Sequence, residues 1–278
     1  MTWARFGYIC RKASVDCWER EPLSDCLKRI EAEPACALYG AGIPADSWPR
    51  KVLDKIGHMN DRASGLSAIQ TYRNLDLGQQ LEEPLKFRRV VAYLGYVIFI
   101  FYGVVGLYQL RITPAFLQVF DSLEVQIPLH LLMYQQYWGY LIVGISVFML
   151  LALLIGHEMR KLFRFCVGVE RGFVFKYLLF RSIKQSYLRL LQIIQFPIGQ
   201  ERGAHDPISD HLTAVRDSGM DVSEEMRALI NVEVQSLTVS CEQQMKLLSA
   251  LIALMVVATV FFFLVSAYSP IFILGDAI

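Results

Sequence analysis

Residues 137–156 read YWGYLIVGISVFMLLALLIG, without one charged side chain. A helix of about 20 such residues crosses a hydrocarbon core roughly 30 Å thick. Tyr137, Trp138 and Tyr140 stand at one end and His157, Arg160 and Lys161 at the other, the aromatic and basic anchors that a membrane interface requires. Two further stretches share this character. Val90–Leu110 (VVAYLGYVIFIFYGVVGLYQL) is closed by Arg88 and Arg89 before it and Arg111 after it. Leu247–Tyr268 (LLSALIALMVVATVFFFLVSAY) is entered after Lys246 and left at Pro270.

The composition agrees. Of 278 residues 54% are hydrophobic and only 19% charged, and the mean hydropathy is +0.38, more apolar surface than a water-facing domain can bury. A net charge of +1 argues against a nucleic-acid binder, and the apolar content argues against disorder. The fold class expected is all-α: a polytopic membrane protein with three transmembrane helices and two cytoplasmic helical domains.

Cation placement gives an orientation. Residues 1–89 hold 14 Lys and Arg, residues 157–246 hold 12, and the remaining one is Arg111. The positive-inside rule then puts both large segments in the cytoplasm and the carboxyl terminus outside. The expected order is an N-terminal cytoplasmic helical domain (1–89), the first span (90–110), a periplasmic loop (111–136), the second span (137–156), a second cytoplasmic helical domain (157–246), the third span (247–268) and a periplasmic tail (269–278). The amino terminus carries cations but no apolar core of a signal peptide, so the first span is the expected insertion signal.

Within the first cytoplasmic segment, Ser24-Asp25 opens a helix, Tyr39–Pro44 reads as loop, Asp46-Ser47 caps a helix through about Asn60, and Gly65-Leu66 reads as a break. In the second, Gly172–Phe196 is apolar but contains Lys176, Arg181, Lys184 and Arg189. Each cation costs about 2.5–3.5 kcal/mol at mid-bilayer, so the stretch is a basic amphipathic helix rather than a span. Arg181, Lys184 and Arg189 form either a solvated basic face or a contact for an acidic partner or anionic lipids, which gain about 1 kcal/mol per juxtamembrane cation. Asp206-Pro207 opens a helix that Ser218-Gly219 ends. Asp221 with Glu224 has capping-box spacing, and Met226, Ile230, Val234, Leu237, Cys241, Met245 and Leu248 follow on one helical face. With no Gly or Pro between Val222 and Ser269, that helix is expected to run into the third span.

No nucleotide-binding loop, HExxH or GxSxG is present in the sequence, so neither a catalytic residue nor a cofactor or metal site is assigned. His205 and His211 beside Asp206 and Asp210 read as loop polarity. The six cysteines form no CxxC and read as reduced, small buried hydrophobes. The spans carry no ionisable residue, which favours a scaffold over a carrier, and Gly103, Gly106, Gly139 and Gly144 offer close helix contacts.

Several motifs carry a resemblance. They are Ile112-Thr113-Pro114-Ala115-Phe116, Val119-Phe120, Ile127-Pro128 and Tyr137-Trp138 around the first loop, Ser218-Gly219-Met220-Asp221, and Ala267-Tyr268-Ser269-Pro270-Ile271-Phe272 at the end. This pattern, over about residue 85 to the terminus, resembles the type II secretion system F domain family, the inner-membrane platform proteins of type II secretion and type IV pilus assembly. Its motif positions here are Pro114, Phe116, Phe120, Pro128, Trp138, Gly219, Pro270 and Phe272. The short first segment and its missing Gly-Glu-x-x-Gly turn mark a divergent member. The resemblance implies a bacterial inner-membrane scaffold, not an enzyme, with a cytoplasmic assembly ATPase, pilin or pseudopilin subunits, other inner-membrane assembly proteins and further copies of itself as partners. A small membrane transporter subunit or lipid-handling membrane enzyme is the alternative.

Overall fold

A computed structural model describes residues 2–17, 21–40, 42–75, 77–81, 85–122, 129–199 and 207–277, and among these the chain is helical throughout apart from turns and an isolated bridge between Ser47 and Cys166. Three helices are long and apolar enough to cross a membrane, in the stretches Gly95–Ala115, Gln136–Phe163 and Val222–Phe262. The chain divides into two compact units, Met1–Pro84 with Glu158–Glu242, and Leu85–His157 with Gln243–Ile278.

The first unit begins with α1 (Thr2–Asp16), α2 (Leu23–Ala32), a 3₁₀ turn (Pro34–Tyr39), α3 (Trp48–Gly57), α4 (Arg62–Asn74) and the short α5 (Leu77–Gln80). Helix α1 buries Trp3, Phe6, Ile9, Cys10 and Ala13 along one face. The predicted break at Gly65 is not there, because α4 runs straight through it. A Cβ on Gly65 would stand 2.7 Å from Leu23 Cδ2, so the glycine serves close packing against α2. Ser47 does flank the start of α3, but its hydroxyl donates to Pro44 O at 2.6 Å rather than accepting from the helix.

The later segment joins the same core. Its elements are α9 (Phe173–Tyr177), α10 (Arg181–Gln195), α11 (Pro207–Asp217) and the first half of α12 (Val222–Ala277). Phe165 makes the join. Its carbonyl accepts from Trp48 N–H at 2.9 Å, and its ring meets Trp3 edge-on at 5.4 Å and approaches Tyr187 at 6.0 Å. Its φ of 52° is a left-handed conformation costing about 1–2 kcal/mol for a side-chain-bearing residue. Burial of the ring and edge-on aromatic contact, worth about 0.5–1.5 kcal/mol beyond area, offset that strain. Tyr72 OH donates to Ile194 O at 2.5 Å on the far side of the core.

The second unit holds α6 (Leu85–Leu107), a π-helical turn (Tyr108–Ile112), α7 (Thr113–Ser122), α8 (Leu129–Phe163, of which it takes the part to His157) and the distal half of α12. Helix therefore continues past Arg111, where loop was expected. The π turn, in which Thr113 N–H reaches back to Tyr108 O, directly precedes Pro114, and such a local widening accommodates a residue that has no N–H to donate. Helix α12 likewise continues through Pro270, where the third span was expected to end. Tyr102 of α6 donates its hydroxyl proton to Ser146 of α8. Gly103, Gly106, Gly139 and Gly144 do not make the close contacts expected: a Cβ at any of them would meet nothing within 4 Å.

Candidate functional site

The turn Ser218-Gly219-Met220-Asp221 opens α12. Gly219 has φ 75°, the left-handed state that favours glycine after a helix. Gly219 N–H donates to Arg216 O at 3.1 Å and Met220 N–H to Val215 O at 3.3 Å, closing α11. Asp221 Oδ1 then accepts from Ser223 N–H at 2.9 Å and from the Ser223 hydroxyl. These bonds to Ser223 hold the Asp221 carboxyl below its ordinary pKa. The cap is thus made with Ser223, two residues on, rather than through Glu224. Asn74 Nδ2 donates to Ser223 Oγ at 3.3 Å and Arg227 Nη2 to Asn74 O at 3.0 Å, docking the start of α12 on the end of α4. Asp206, expected to cap α11, lies outside the described residues.

From there the apolar face reads as spaced. Met226, Ile230, Leu237, Cys241, Met245 and Leu248 are buried and Val234 half-buried. Ser186 and Ser182 of α10 bond Ser236 and Ser240 of α12. Helix α12 is unbroken from Val222 to Ala277.

The basic segment is not one helix. Phe180, at φ −60° and ψ 146°, separates α9 from α10. Its three singled-out cations part company here. Arg189 Nη1 pairs with Glu233 Oε1 of α12 at 3.4 Å, and Lys184 Nζ donates to Lys176 O at 2.6 Å, closing the end of α9. Arg181 is exposed. Arg189 and Lys184 thus make exposed contacts within the first unit, each worth at most about 1 kcal/mol, and Arg181 is left facing outward.

Of the other motif positions, Pro114, Phe116 and Phe120 fall in α7, Trp138 in α8, and Pro270 and Phe272 in α12, while Pro128 lies outside the described residues. Trp138 lines an apolar cavity of about 190 Å³ with Phe101, Val104, Tyr108 and Thr259. Sequence reasoning did not find this cavity, whose walls come from three separate helices of the second unit.

A set of buried polar atoms in the first unit also went unforeseen. Tyr187 OH, Trp48 Nε1 and Glu170 Oε1 are buried without a hydrogen-bond partner, and burial, reinforced by Glu170 and Cys166, pushes the Tyr187 hydroxyl pKa up. A tyrosine so held stays protonated. His211 Nε2 lies 2.8 Å from Glu225 Oε1, His205 is outside the described residues, and among the described residues no cluster of three metal-ligating side chains occurs. The cysteines correct the expectation of six reduced thiols. Cys17 and Cys26 form a disulfide, their Cα atoms 6.1 Å apart where the end of α1 meets α2. That pairing arises from helix packing, so no CxxC spacing announces it. Set against known proteins, the chain matches no family model, no curated protein and no solved structure.

Proposed function

We propose that this protein is an inner-membrane platform for type IV pilus or type II secretion assembly, coupling a cytoplasmic ATPase to pilin or pseudopilin subunits. The observation that carries the reading is α12, one helix that contributes first to the packed helical unit and then to the apolar one. A continuous helix transmits displacement along its axis, whereas a loop at the membrane surface would dissipate it. The motif residues around α7 and at the close of α12 supply the link to the platform family, and spans free of ionisable side chains suit a scaffold.

In this mechanism the ATPase engages the first unit and shifts it. Helix α12 passes that movement to the spans, which meet subunits being drawn from the bilayer. Further copies of the chain and other inner-membrane assembly proteins complete the machine. The test is affinity purification of the chain in mild detergent from its native cell. A secretion-type ATPase retained with it supports the proposal, and solute flux or lipid turnover in place of the ATPase would carry the transporter or enzyme alternative.

A further inference from the structure

Helix α9 is fixed on its inner side and unusually apolar on its outer side. Phe175 and Leu179 are buried at 5% and 3% exposure, anchoring the segment, while Phe173 is 69% exposed, Tyr177 63% and Phe180 41%. The outward rings are organised. Phe173 and Tyr177 pack at 4.9 Å between centroids, and Lys176 Nζ lies 5.2 Å from the centre of the Tyr177 ring. The Lys184 bond to Lys176 O braces this end of α9 against α10, beside exposed Arg181.

Cations dominate the sequence that carries these rings, with Glu170 just before it and Glu158 Oε2 4.0 Å from where a Cβ on Gly172 would stand. From Arg171 to Gln200 the sequence contains Arg171, Lys176, Arg181, Lys184 and Arg189 and no Asp or Glu. Aromatic rings with a wet side and a dry side, interleaved with cations on long apolar stems, suit the headgroup layer of an anionic bilayer, where rings enter the boundary and ammonium and guanidinium groups meet phosphate. The chain keeps them in reach. Phe163, the last residue of α8, lies ten positions before Phe173, at most about 35 Å of fully extended chain, and Gly156, the last residue of the charge-free run, lies seven positions earlier on the same helix.

We propose that Phe173, Lys176, Tyr177, Phe180 and Arg181 form an interfacial foot that binds the anionic headgroups of the membrane the protein spans. The foot rests on the membrane reading and not on the platform role. It resolves the open choice between lipid and acidic partner at this segment in favour of lipid. It also replaces Arg189 and Lys184, which are engaged within the fold, with aromatic side chains as the second half of the contact.

The test uses the full-length protein in nanodiscs of phosphatidylcholine alone and of phosphatidylcholine with phosphatidylglycerol, reading amide hydrogen exchange across residues 173–181. Exchange should slow by about five-fold or more in the anionic discs, the factor that one cation supplies at such a surface. Both F173S/Y177S and K176Q/R181Q should abolish that difference while the protein stays inserted. Equal exchange in the two disc types overturns the proposal. So does protection that appears only when a cytosolic protein is added, which would assign the patch to a protein partner. No filament or ATPase enters the readout, so loss of the platform reading leaves this result standing, and the converse holds.

Discussion

The hydroxyl of Tyr72 donates to the carbonyl oxygen of Ile194, and both residues are fully buried. The bond joins α4 to the last turn of α10, where a helix carbonyl has no partner of its own. Tyr72→Phe leaves that acceptor unpaired and should lower stability by about 1–3 kcal/mol. Thermal unfolding in detergent, compared with Tyr8→Phe as a half-exposed control, measures the difference.

Two glycines should respond differently to the same substitution. A Cβ on Gly78 would lie 2.9 Å from Ala4 Cα, a backbone atom, whereas on Gly65 it meets the flexible tip of Leu23. Gly78→Ala must push α5 off α1 and should cost about 1–3 kcal/mol. Gly65→Ala should cost less, because Leu23 can move and alanine favours the helix by about 1 kcal/mol. Limited proteolysis of both variants ranks them.

Asp221 makes stability depend on acidity. Its folded-state pKa is lowered by the bonds to Ser223, so the cap contributes fully above the unfolded value and is lost as pH falls through the folded one. Asp221→Ala should remove about 0.5–2 kcal/mol at neutral pH and much less at the acid end. Melting temperatures across roughly pH 2–7, the range in which a carboxylate titrates, would reveal the converging curves.

Gln243 is exposed on α12 at the junction between its two halves. Proline there removes a helix hydrogen bond and clashes with the preceding turn, at about 3 kcal/mol or more. The Gln243→Pro protein should still insert but fail to support filament assembly or secretion, whereas Gln243→Ala should support both. Normal assembly by the proline variant would count against transmission through α12.

Orientation can be read with reporter fusions. A fusion after Arg62 should report cytoplasm and one after Ser122 periplasm, as the division of cations implies, although the Cys17–Cys26 disulfide in the same segment points to an oxidising side. The reverse pattern would invert the topology.

The sequence made much of α12 legible because its signals are local. Gly219, Asp221 and the spaced apolar series need only their own neighbours to act. The features it concealed depend on surfaces distant along the chain. Gly65 reads as a breaker until Leu23 is laid against it, and Cys17 and Cys26 look unrelated until α1 and α2 pack. Arg111 looked like the start of a loop and Pro270 like the end of a helix, yet a π turn carries the helix past the first and α12 runs through the second. Helix α9 is too short for periodicity to tell buried Phe175 from exposed Phe173 and Tyr177, so its aromatic face could not be separated from its core before the fold was known.

The Tyr72 to Ile194 bond also bears on how the molecule is made. Its partners are 122 residues apart, and both candidate spans of α6 and α8 are synthesised between them. At about 5–20 residues per second the ribosome needs roughly 6–24 s to travel from one partner to the other. During that interval Phe6, Tyr72 and Trp3 lack Phe165, Tyr187 and Ile194, so the amino-terminal helices wait with their aromatic core uncovered while the bilayer receives the chain. Completion of the first unit's core therefore waits on synthesis of both candidate spans, and a chain arrested in that interval would present an adhesive half-core rather than a finished domain.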